Sequence, residues 1–323
     1  MHCPTKVLLV TTLLFAVACG GTDATSSASY LTNPTPTASG PTTSTPPTLT
    51  ASTPSVPSNA IGTGLSGLGL VSDDYTQYAS TAALLANISS NSNGGTGNPA
   101  TSKYSYVDNG NLLELDPTMT FNGHPTAKYN MPGGSASVPQ LQVYFPGNKV
   151  LTDMWLRVTI RFSPGWTTDG TLTNSGKGYK LLGWAWDSGD GRGSVEFGPV
   201  TDMTIGWYVF RPAGSSMGPI LFSQTVPTAW RNGTDWYDVV VHYQQTSSTT
   251  VRQQWWMGIN GTHLILQGDE TGTMAPGQTV PNVNRIMLGM NFNQIRAANQ
   301  TQALWYGQWE VIDGSQHANP FGL

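Results

Sequence analysis

From Trp155 onward the chain repeats one pattern, short segments in which aliphatic positions alternate with Trp, Arg, Lys, His and Gln. In 155–162 a period of two puts Leu156, Val158, Ile160 and Phe162 on one side and Trp155, Arg157, Thr159 and Arg161 on the other. Segment 236–244 sets Tyr237, Val239, Val241 and Tyr243 against Trp236, Asp238, Val240, His242 and Gln244, and 251–259 places Arg252, Gln254 and Trp256 together. In 179–186 the alternation divides Lys180, Leu182, Trp184 and Trp186 from Tyr179, Leu181, Gly183 and Ala185.

The pattern predicts strands at 111–116, 139–145, 154–162, 179–186, 194–198, 204–211, 236–244, 252–259, 262–267, 285–292 and 304–312. Helical periodicity is confined to a turn or two near 82–87. Asn260-Gly261 between two of the strands is a hairpin signal, and Asn122-Gly123, Asp169-Gly170, Asn232-Gly233 and Asp313-Gly314 mark further turns. Many short strands with one apolar face predict an all-β fold, a two-sheet antiparallel jelly-roll β-sandwich.

Composition changes the picture at the N-terminus. Residues 1–18 read as a secretory signal, with Lys6 ahead of an apolar run too short for an ordinary membrane span. The run ends Ala16-Val17-Ala18-Cys19-Gly20, which resembles a bacterial lipobox and makes Cys19 the expected lipidation site. Residues 19–60 are Ser, Thr, Pro and Ala with few large apolar side chains, the composition of a disordered tether, and 61–323 remain for the folded domain. The expectation is an exported lipoprotein, held to a membrane through its lipid and facing the periplasm or cell surface. Charged residues are only 10% of the chain, against roughly 25% in ordinary domains. A formal net charge of -4 and the lack of any Lys/Arg run argue against nucleic acid as a partner.

Asp235–Val241, Trp256–Thr262, Ile286–Gly289 and Trp305–Val311 resemble, in order, four segments of the concanavalin A-like lectin/glucanase superfamily. The stretches around Arg161-Phe162-Ser163-Pro164-Gly165 and Lys180-Leu181-Leu182-Gly183 further resemble polysaccharide-lyase-like jelly rolls. The resemblance implies a concanavalin A-like architecture and a carbohydrate ligand.

Flat aromatic rings beside directional donors suit sugars, whose apolar faces stack on Trp while hydroxyls and carboxylates take hydrogen bonds. Any one such residue is better explained by a plain exposed or loop-covered sheet face; their recurrence is what points to a ligand. The expected oligosaccharide groove carries Trp155, Arg157, Arg161, Trp184, Trp186, Arg211, Arg252, Gln254 and Trp256, with His242 beside them. The leading expectation is polysaccharide binding. A lyase acting on a uronate-containing glycan is the first alternative, with His242, Lys180 and Tyr208 as candidate catalytic groups, and a structural or adhesive surface protein is the second.

A two-carboxylate hydrolase is disfavoured, because Glu114 and Asp116 begin the glucanase ExDxxE pattern but Met119 stands in place of its second Glu. No cofactor is expected. The loop Asp187-Ser188-Gly189-Asp190-Gly191 could bind structural calcium but lacks the EF-hand spacing, and the histidines are too scattered for zinc.

Overall fold

The computed structural model describes residues 64–89, 102–135, 138–166, 233–261, 263–274, 277, 279–280, 282–289, 299 and 301–323, and the backbone of strands 180–186, 192–197, 204–209 and 220–225. The signal 1–18, Cys19, the tether 19–60, Arg211 and the loop 187–191 lie outside these residues. In chain order the strands are β1 (Val71–Asp73), β2 (Tyr106–Asp108), β3 (Leu113–Phe121), β4 (His124–Met131), β5 (Gln140–Tyr144), β6 (Asp153–Phe162), β7 (Lys180–Trp186) and β8 (Arg192–Phe197). They continue as β9 (Thr204–Val209), β10 (Ile220–Thr225), β11 (Tyr237–Gln245), β12 (Thr250–Ile259), β13 (Ile265–Thr273), β14 (Val283–Leu288) and β15 (Gln302–Asp313).

Two antiparallel sheets form the expected all-β jelly-roll sandwich. The first runs β13-β12-β11-β6-β15-β4-β3, with β1 also paired to β15; the second runs β10-β9-β8-β7-β14-β5-β2. The aliphatic rows meet between them: Leu156, Val158 and Ile160 of the first sheet share one buried cluster with Leu141, Val143 and Ile286 of the second. A helix, α1 (Thr81–Ala86), occupies the expected short helical stretch and is capped by Ser80, whose side chain accepts from the Ala83 N–H.

Turn chemistry sets two hairpins. Asn260-Gly261 (φ 50° and 72°) follows β12, and Asn122-Gly123 (φ 51° and 80°) joins β3 to β4, pairs of left-handed residues suited to tight hairpin turns. Strands β1, β2, β4 and β10 were not expected from the pattern. In β4 the buried row is Ala127, Tyr129 and Met131, in which a small residue and a phenol weaken the apolar signal.

The alternation predicts one wet face on the central strands, but all twelve residues of β15 are buried, as are eight of the ten in β6, all but the partly exposed Asp153 and Arg161; the buried members include both Leu156 and Arg157. The reason is that both ends of the described chain fold over the outer face of the first sheet. Phe321 packs edge-on against Trp155 at 5.9 Å, and Arg157 Nη1 donates to the Gly64 carbonyl at 2.9 Å. Gly314 begins the C-terminal turn, where an added Cβ would overlap the Asp153 carboxylate.

Candidate functional site

The outer face of the first sheet holds most of the predicted groove residues in register. Trp155 stands opposite His242, which stands opposite Gln254, while Arg157 stands opposite Val240 and then Trp256. The expectation of an open groove here is corrected, because these side chains are spent on one another and on the chain ends. Trp155 is stacked on His242 with centroids 3.9 Å apart, and Trp155 and Trp256 belong to an apolar cluster completed by Phe321. Arg157 is 1% exposed and Trp256 7%, so neither presents the surface a sugar ring would cover.

The polar groups of this face are equally committed. Arg157 donates to Asp238 Oδ1 from Nε (3.2 Å) and Nη2 (3.1 Å) and lies 3.7 Å from Glu310 Oε1. Arg161 donates to the Gly233 carbonyl and sits over the Trp236 ring. Arg252 makes a two-pronged pair with Asp269, which holds that carboxyl below its ordinary value. Gln254 donates to the same Asp269 at 3.0 Å, and its Oε1 lies 3.3 Å from His242 Nδ1. His242 Nε2 is 2.8 Å from Asp153 Oδ1. Sequence reasoning named the cations of this network and missed Asp238 and Glu310 as their partners, since strand pairing alone brings them together.

The second sheet carries the rest. Lys180, Trp184 and Trp186 are on β7 and Tyr208 on β9, so they do not share a sheet with Trp155, Arg157 or His242. A single groove built from all of them is therefore corrected to two separate outer faces. Likewise His242, on the outer face of the first sheet, is separated by the thickness of the sandwich from any site on the outer face of the second, and cannot act there as a base.

Register divides the second sheet into rows. Val143, Ile286 and Trp184 form one cross-strand row, and Val143 and Ile286 are core residues. The row beside it runs Tyr144, Arg285, Ala185, Arg192, and the next outer row runs Tyr106, Gln142, Met287, Gly183, Ser194, Tyr208. Lys180 stands opposite Glu196 at the end of β7, next to an irregularity in the pairing. Backbone register thus puts Tyr208 in the row of Gln142, and Trp184 in a row of core positions rather than a groove row.

At the described end of this face Tyr144 is 44% exposed, and the Arg285 guanidinium lies 5.1 Å from its ring centroid. Arg285 donates to Asn284 Oδ1 at 3.3 Å; among the described residues it has no carboxylate partner, and its Nε is buried without a hydrogen bond. Met287 is buried but belongs to none of the described apolar clusters. Arg285, Tyr144 and Gln142 were missed by sequence reasoning. The signal was present as the alternation of Arg285 and Met287 with Ile286 and Leu288.

Among the described residues no cluster of three or more His, Cys, Asp or Glu side chains is placed to hold a metal ion. No helix among them is long and apolar enough to cross a membrane.

No protein-family model matches the chain, and no curated protein matches it. Solved structures do. Alginate lyase Aly36B is similar at 12% identity and a TM-score of 0.44, over 75% of this chain and 96% of that one. The PL-14 alginate lyase from Aplysia kurodai is similar at 10% identity and a TM-score of 0.45, over 67% of this chain and 94% of that one. The binding domain of botulinum neurotoxin serotype D/C is similar at 13% identity and a TM-score of 0.38, over 62% of this chain and 42% of that one. These likenesses concern the jelly-roll fold.

Proposed function

We propose that the protein binds a polysaccharide through the outer face of the second sheet, with Arg285, Tyr144 and Gln142 among the groups that hold it. The observation that carries this reading is the Arg285–Tyr144 pair, a guanidinium lacking a carboxylate partner among the described residues and stacked on a phenol ring that is 44% exposed. A carboxylate of the glycan would meet the guanidinium, a sugar ring would lie on Tyr144, and the Gln142 amide would serve hydroxyls. Export and attachment through a lipid on Cys19 complete the proposal, placing this face toward glycan outside the cytoplasm.

Elimination on the same glycan is a second reading, favoured by the register that aligns Tyr208 with Gln142 and keeps Lys180 on the same sheet. In it Arg285 neutralises a uronate carboxylate, and Tyr208 or Lys180 removes the proton from the adjacent carbon while the glycosidic oxygen leaves.

The test is to incubate the chain carrying Cys19→Ser with neutral and uronate-containing polysaccharides, following retention and ultraviolet absorbance together. Retention that Arg285→Ala abolishes supports binding; growth of unsaturated, absorbing ends supports elimination. Failure of every glycan to be retained or turned over would leave the structural or adhesive role.

A further inference from the structure

The first sheet contains a charged cluster that the proposed function does not use. Asp238 (2% exposed) and Glu310 (0%) flank Arg157 (1%), and Thr159 donates a further bond to Asp238 Oδ1 at 2.6 Å. Beside them Gln308, 2% exposed, has its Nε2 without a hydrogen-bond partner. Two carboxylates and one guanidinium leave a buried excess of negative charge, which needs additional donors.

The chain supplies those donors from one short piece. Glu310 Oε2 accepts from the Ser66 N–H at 3.0 Å and from Ser66 Oγ at 2.6 Å, and Arg157 Nη1 finds its acceptor at Gly64 O. Gly64 and Ser66 are themselves exposed and belong to no strand; sheet pairing begins only at Leu70, whose N–H donates to Val311 O at 2.7 Å. A segment with water on one side thus covers some of the most deeply buried charges in the domain. It is held there by a few polar contacts to Glu310 and Arg157 and by little apolar burial, the profile of a piece that opens far more often than the domain unfolds.

We propose that Gly64–Ser66 is a releasable strap at the base of the tether. Closed, it completes the Arg157–Asp238–Glu310 cluster and fixes where the chain leaves the first sheet. Lifted, by tension from the anchored end or by a cut ahead of it, it opens Glu310 and Arg157 to water. Each freed residue then adds up to roughly 3.3–3.6 Å to the reach of the tether. The strap, whose role rests on the proposed lipid anchor, therefore ties the anchored segment to two side chains, Arg157 of β6 and Glu310 of β15, without being part of the pairing of either strand.

Amide hydrogen exchange on the full chain tests this. The Ser66 amide should exchange at least tenfold faster than amides of β15, and Ser66→Ala and Glu310→Gln should each speed exchange over 64–68 by at least tenfold further. Ser66→Thr, which keeps the N–H and the hydroxyl, should restore slow exchange, and exchange in β6 should be unchanged by Ser66→Ala. Retention on glycan should also be unaffected by Ser66→Ala, which separates failure of the strap from failure of the proposed binding face. Exchange of Ser66 at the rate of β15 in the unaltered chain would make the segment a fixed part of the fold, and indifference to Ser66→Ala would show that its bonds to Glu310 do not hold it. Either result overturns the strap.

Discussion

Two arginines on the two outer faces of the sandwich, Arg157 on the first sheet and Arg285 on the second, sit among alternating aliphatic neighbours and end in opposite states. On the first sheet Arg157 and Arg252 each meet a carboxylate, Arg161 meets a backbone carbonyl, and Trp155 and Trp256 are packed beneath the C-terminal tail. On the second sheet Arg285 meets an exposed phenol ring and no carboxylate among the described residues. Residue type therefore did not decide which guanidinium was left without a carboxylate among the described residues. What decided it was whether the chain's own segments had already taken the hydrogen bonds and covered the rings.

The largest effect expected from breaking that contrast is at Arg157. Arg157→Met leaves Asp238 and Glu310 buried without their counter-charge and should cost about 3–5 kcal/mol in urea unfolding. Glycan retention by the molecules that remain folded should be unchanged; a stable variant that had lost retention would move the site to the first sheet.

Next, Phe321→Ala removes the ring that closes the Trp155–Trp256 cluster and should cost about 3 kcal/mol, read from the thermal midpoint and from a change in Trp fluorescence. A neutral substitution would mean that the tail rests on this face without sealing it.

On the second sheet Arg285→Ala should weaken glycan retention by tenfold or more, about 1.4 kcal/mol, while changing stability by less than about 1 kcal/mol. Affinity electrophoresis beside urea unfolding separates the two quantities. An equal loss in both would make Arg285 a packing residue and erase the difference between the faces.

The smallest effect concerns acid. Burial pushes the Asp116 carboxyl up, but hydrogen bonds from Thr118, the Trp305 indole and the backbone outweigh it and bring it down to about 2. A carboxyl held low when folded binds fewer protons there than in the unfolded chain. Its contribution is thus full above the ordinary Asp value and is lost as pH falls through about 2. Asp116→Asn should flatten the dependence of the urea midpoint on pH across that window. An unchanged slope would assign the acid sensitivity to other carboxylates.

Much of the fold was legible before the structure. Alternation in 155–162 and 236–244 marked the core-facing rows, because a strand buried on one side has to repeat every second residue. The site was far less legible. Arg157 and Arg285 look alike in sequence, each set among alternating aliphatic neighbours, and nothing local says that Asp238 and Glu310 flank one and Tyr144 lies under the other.

The sequence by itself determined the strands, their turns and the inward rows, since period and turn chemistry act over a few residues. Only the tertiary structure decided that β7 and β9 join a different sheet from β6 and β11, which sent Lys180 and Tyr208 to one side of the molecule and His242 to the other. It alone decided, too, that Gly64–Ser66 and Phe321 would cover the first sheet. Sheet order and the path of the chain ends depend on contacts between residues scores of positions apart, and such contacts leave no local trace in the alternation of polar and apolar residues.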